Sequence, residues 1–147
     1  MSGGGFLDEV LDRWRAMPEA IAVEGPSDEP LTGLDLLHRV ETTAASLRDA
    51  GHGIGTVVAS AAGRTPDAVV LWLAAFRVGA AWFPIDPSLP RADVEALCSR
   101  AGARMYDIPS RPVAGGVSAL PADPGRLAWI VATSGSTGPP RLVEVLH

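Results

Sequence analysis

Six small residues stand together near the end of the chain: Thr133, Ser134, Gly135, Ser136, Thr137 and Gly138. Hydroxyls and two glycines within one turn suit an anion. Glycine lets the backbone approach a ligand closely, and successive N–H groups can point inward as a nest. Serine and threonine hydroxyls add donors for phosphate oxygens or contacts to a bound metal ion. Arg141 follows Pro139 and Pro140. It supplies a fixed charge in a planar fork that matches phosphate. The spacing GxxxxGK[ST] of the common P-loop is absent. A Gly/Ser/Thr cluster of this kind also serves as a plain polar hairpin loop, so composition alone leaves both readings open.

Other chemistry is scarce. All twelve basic residues are arginine, so no lysine chemistry can occur in this chain. Cys98 is the sole cysteine, which excludes an internal disulfide and reads as a small core residue. His38 and His52 have no second ligand at metal spacing and read as a helix-surface and a turn residue. The net charge of -5, without a basic cluster, argues against a nucleic-acid partner. No apolar run has the length of a membrane helix and no signal-peptide pattern opens the chain. A cytoplasmic location and no membrane partner are the expectation.

The elements that must position the cluster can be read from periodicity. Apolar runs at 127–132 and 142–146 flank it and read as strands. Upstream, residues 1–5 read as a flexible terminus. Phe6, Leu7, Val10, Leu11 and Trp14 fall on one face of a helix that closes near Met17 and Pro18. Residues 21–23 suit a short strand. Thr32 with Asp35 three residues on makes a capping-box signal. It opens a helix whose inward face is Leu34, Leu37, Val40, Ala44 and Leu47, ending at Gly51.

Residues 56–60 suit a buried strand. Thr65 followed by Pro66 starts a helix that is apolar on nearly every side over residues 68–78 and stops at Gly79; such a helix belongs between two layers. A strand over 80–85 ends in the turn residue Asp86. A helix over 91–101, with Val94, Leu97, Cys98 and Ala101 inward, then a strand over 104–108 and a loop-rich stretch over 110–125 complete the order. Alternation of helix and strand argues for an α/β fold: a layered, largely parallel sheet flanked by helices.

The segment Thr133-Ser134-Gly135-Ser136-Thr137-Gly138, with Pro140, Val143 and His147, resembles the phosphate-binding loop of the adenylate-forming superfamily. That group includes nonribosomal peptide synthetase adenylation domains and acyl-CoA synthetases. The chain departs from the pattern at Arg141, where the family usually has lysine, and at Leu142, where it usually has glycine. A second match lies at Gly79-Ala80-Ala81-Trp82-Phe83-Pro84-Ile85-Asp86-Pro87. It is similar to an adenylation-domain segment that is mainly structural in the family. The resemblance runs from Thr32 to His147 and favours the adenylation type, so residues 6–147 correspond to the first part of that domain's large N-terminal subdomain.

The resemblance implies that ATP phosphates lie against residues 133–138, with Thr137 nearest a magnesium ion and Arg141 neutralising charge. It also implies that the acid pocket, the adenine and ribose contacts and the catalytic lysine lie beyond the loop, outside this chain. Two expectations follow. In one, the chain is the N-terminal portion of an enzyme that activates a carboxylic acid, of amino-acid type, as an acyl-adenylate, and needs a complementary chain. In the other, it is a catalytically inert, truncated module docking on a synthetase or carrier protein. An α/β core ending after this strand exposes a sheet edge and apolar faces, which also suits self-association.

Overall fold

Strand β3 (Val57–Ser60) is buried along its whole length, and the architecture follows from covering it on both faces. The computed structural model describes residues 5–26, 28–108, 125–133 and 138–147. Strand β3 pairs in parallel with β4 (Ala81–Pro84) on one side and with β5 (Ala103–Met105) on the other. Parallel neighbours cannot be joined by a tight turn and need a crossover. Helix α3 (Pro66–Val78) makes the first and α4 (Arg91–Ala101) the second. Strand β6 (Leu127–Thr133) continues the parallel set beside β4, and β7 (Arg141–Leu146) returns antiparallel along β6. The order among the described residues is β5-β3-β4-β6-β7. The chain thus adopts the α/β fold expected of it, with a mostly parallel sheet between helices.

Alternation along the strands divides the core. Val57, Ala59, Ala81, Phe83 and Ile130 pack with Leu97 of α4 on one face. Val58 faces the other way, toward Ala44 and Leu47 of α2 (Gly33–Asp49) and Leu71 and Ala74 of α3. Leu11 of α1 (Phe6–Ala16) packs outside these, against Leu36, Val40, Val70 and Leu73. Helix α3 therefore has the sheet on one flank and other helices on the other, which accounts for its all-round apolar sequence. Its one cation, Arg77, is nearly buried. It donates from Nε to Glu41 Oε1 of α2 at 3.0 Å, with a second nitrogen at 2.9 Å.

Local signals act as read. Thr32 Oγ1 accepts from the Asp35 N–H at 3.2 Å, and the Asp35 carboxylate accepts from the Thr32 N–H and hydroxyl. These bonds hold the Asp35 carboxyl below its usual range. Thr65 Oγ1 accepts from the Ala68 N–H and caps α3. Gly33 is demanded by close approach: a Cβ there would lie 2.6 Å from Met17 O. Burial raises the Cys98 thiol's pKa, in keeping with a core role.

Four expectations are corrected. Phe6 and Leu34 are 58% and 57% exposed: Phe6 is the first residue of its helix, and Leu34 lies about 200° around α2 from Leu36, off the buried stripe. Leu36 takes the inward place, in a stripe with Val40, Ala44 and Leu47. Leu31–Thr32 forms a strand, β2, antiparallel to β1 (Ile21–Val23), so Thr32 closes a ladder and caps a helix at once. Strand β5 stops at Met105: Tyr106 donates its hydroxyl to Ser46 Oγ at 2.6 Å, drawing the chain toward the helices, where Ile108 also packs. His52 is buried rather than a surface turn residue. It sits edge-on to Tyr106, and its Nδ1 has no hydrogen-bond partner among the described residues. Residues 1–4 of the expected flexible terminus, and the expected loop-rich stretch apart from Gly125, lie outside the described residues.

Two predictions follow from these contacts. Glu41→Ala strands the Arg77 guanidinium between α2 and α3, and a loss of about 3 kcal/mol in urea unfolding is expected. Burial, and next the Arg104 charge, lower the His52 pKa from its ordinary value of 6.5. The unfolded chain then binds the proton more readily, so stability is retained above pH 6.5 and falls as pH drops below it, by at most about 1.4 kcal/mol per pH unit. Unfolding midpoints between pH 8 and 5 should slope less in His52→Phe than in the parent.

Candidate functional site

Because β3, β4 and β6 run parallel, their carboxyl ends gather at one end of the sheet, the end at which open α/β sheets bind ligands. Gly63, Arg64 and Thr65 follow β3, and Asp86 and Ser88 follow β4. Asp86 Oδ1 accepts from the N–H and hydroxyl of Ser88 at 2.8 and 2.7 Å. Those two bonds lower the Asp86 pKa, and the residue is the turn former that its sequence suggested.

The hairpin after β6 reaches further than its neighbours. Trp82 of β4 lies opposite Trp129 of β6. Continuing that register puts Thr133 two residues past the end of β4, roughly 7 Å at the rise of a strand. Over that distance β6 is held by β7, through Val131 opposite Val143, Ala132 opposite Leu142 and Thr133 opposite Arg141.

Thr133 ends β6 and donates its hydroxyl to Arg141 O at 3.3 Å. Arg141 is the first residue of β7, with its side chain exposed, so it stands at the neck of the hairpin. Gly138 has φ +120°, a conformation that side chains rarely adopt, and among the described residues no atom lies within 4 Å of the place a Cβ would take. Ser134, Gly135, Ser136 and Thr137, the middle of the expected phosphate loop, lie outside the described residues. The structure thus brings Thr133 and Arg141 together across the neck. Among the described residues no group of three His, Cys, Asp or Glu is placed to hold a metal ion.

Two contacts at the hairpin had no sequence signal. Arg100, at the end of α4, donates to Pro140 O at 2.8 Å from 40 residues away in the chain. His147, though exposed, is held at both ring and backbone: its ring centre lies 4.5 Å from that of Phe76, and its N–H donates to Arg126 O at 3.0 Å. The motif histidine therefore fastens the end of β7 to α3. Beside it, Trp72 is 6.1 Å from Trp82 and 5.4 Å from Trp129 between ring centres. The three indoles wall a groove of about 450 Å3 that Arg64 and Glu24 also line. Trp82 Nε1 donates to Ser60 Oγ at 3.1 Å.

The family model described as AMP-binding enzyme matches residues 10–147. Phenyloxazoline synthase MbtB of Mycolicibacterium paratuberculosis is 30% identical over 99% of this chain, which spans 14% of that protein. The probable non-canonical nonribosomal peptide synthetase CymA of Salinispora arenicola is 36% identical over 96% of this chain, which spans 2% of it. Among solved structures, the Klebsiella oxytoca NpsA N-terminal subdomain in complex with anthranilyl-AMSN superposes with a TM-score of 0.77 at 24% identity. That match covers 95% of this chain and 40% of that one. The two departures from the motif, Arg141 and Leu142, leave the fold intact: both sit in a regular strand. The chain belongs to the AMP-binding, adenylate-forming enzyme family and corresponds to the N-terminal part of an adenylation domain of the nonribosomal peptide synthetase kind.

Proposed function

We propose that this chain is the phosphate-binding part of an adenylating enzyme. It acts with a complementary polypeptide to join a carboxylic acid, of amino-acid type, to ATP. In that reaction a carboxylate oxygen attacks the α-phosphorus, the bond to the bridging oxygen breaks, and pyrophosphate leaves with the electron pair. The single observation that carries the reading is the hairpin itself. Strands β6 and β7, paired up to Thr133 and Arg141, flank the small-residue segment at the carboxyl end of a parallel sheet.

The family resemblance, together with donor type, suggests the roles of the chain's own residues. Residues 133–138 hold the phosphates through hydroxyls and amides. Thr137, by the same resemblance, would approach the magnesium ion that accompanies ATP and offsets phosphate charge. Arg141 places a planar guanidinium at the neck, in a fork that matches phosphate oxygens. Acid recognition and proton handling belong to the complementary chain. The apolar side chains that β7 exposes, Val143 at 46% and Leu146 at 55%, support a partner along that edge.

A second reading has its own support. The Thr133 hydroxyl is already bonded to Arg141 O, and Leu142 takes a place where the family has glycine. A catalytically inert module docking on a synthetase or carrier protein would keep this hairpin as scaffold.

ATP–pyrophosphate exchange separates the two. Exchange should arise when the chain is mixed with a complementary adenylation-domain chain. The triple substitution Ser134→Ala, Thr137→Ala and Arg141→Ala should reduce it at least a hundredfold while the complex still forms, a loss of about 2.7 kcal/mol in transition-state stabilisation. Full exchange from the triple variant would leave the hairpin as scaffold only.

A further inference from the structure

We propose that Arg100 is a positioning residue for the phosphate-binding hairpin: helix α4 fixes the downstream limb of the hairpin through it. The inference rests on the reading that residues 133–138 hold phosphate, and adds what holds them in place.

The two limbs of the hairpin are not supported alike. The upstream limb, β6, is tied to β4 and to the core through Ala128 and Ile130. The downstream limb, β7, has β6 on one side, and no described strand pairs with its other side. At the point where the chain enters β7, Arg100 spans 40 residues of sequence to donate to Pro140 O at 2.8 Å. One residue after Arg141, Leu142 packs into the cluster formed by Ile130 and Leu97 of the same helix. A polar and an apolar contact thus flank Arg141, and both lead to the end of α4.

Chemistry favours this assignment. Pro140 lacks an N–H, so its carbonyl is the one polar backbone handle at that residue. Arginine donates to it from a planar, permanently charged group, and a hydrogen bond to a charged donor is stronger than a neutral one.

The decisive experiment uses tripolyphosphate, a probe that needs none of the adenine contacts, titrated calorimetrically into the chain and its variants. Arg100→Ala should weaken binding about fivefold, with an unchanged melting temperature because the residue is exposed. Arg100→Lys should recover part of the loss. Amide exchange over residues 141–143 should speed up in Arg100→Ala alone. Arg15→Gln removes an exposed charge from α1, on the other face of the sheet from α4, and serves as the control for bulk electrostatics. Equal weakening by Arg15→Gln and Arg100→Ala, or unchanged affinity in Arg100→Ala, would overturn the inference while leaving phosphate binding in place. A parent chain that does not take tripolyphosphate would overturn the phosphate-binding reading, and the role of Arg100 with it.

Discussion

Two parallel strands cannot be joined by a tight turn, and this constraint organises the molecule. Each crossover must carry a helix over a face of the sheet, and strand β3, buried on both faces, requires both faces to be covered. Helix α3 meets the requirement on one side and α4 on the other. Consecutive strands then point the same way, and their following loops collect at one end. The hairpin after β6 is at that end for the same reason. Placement of the candidate site is thus a consequence of how apolar strands are buried.

The constraint also explains why the helices differ so much in sequence. Helix α3 touches the sheet with Leu71 and Ala74 and the outer helices with Val70 and Leu73, so little of it faces water. A cation on such a helix must be paired, and Arg77 reaches Glu41 on α2 at 2.9 Å. Helix α4 covers its face alone, with Leu97 as its one fully buried residue. Its outer side is free to carry charge, and Arg91 pairs with Glu95 there at 2.7 Å. The helix able to reach the hairpin with an arginine is the one that is not enclosed.

Legibility in the sequence followed the range of the interactions. Local chemistry was plain: the Thr32–Asp35 box, the Thr65–Pro66 start and the Asp86 turn depend on residues within three positions of one another. The bounds of α4 and the all-round burial of α3 could be read for the same reason, as each helix carries its own period. Contacts between distant segments left no mark. Nothing near Leu34 says that Leu36 is the residue α1 covers, and nothing near His52 says that Tyr106 closes over it. In the site, the glycines and hydroxyls suggested an anion from composition alone, whereas the rung between Thr133 and Arg141 needed the ladder to be seen.

That rung bears on the exchange of lysine for arginine. A lysine would carry its charge as a compact ammonium on a flexible stem; arginine offers a planar fork with set donor directions, here on a backbone committed to the β6 ladder. What arginine adds is reach and a planar array of donors from a fixed base. A bulky Leu142 beside it makes the base firmer, since the side chain is half-buried against the α4 side of the core. The two departures from the family pattern therefore act in one direction. They place a planar fork of donors on a firm strand, which under the proposed phosphate role favours one fixed approach of the ligand.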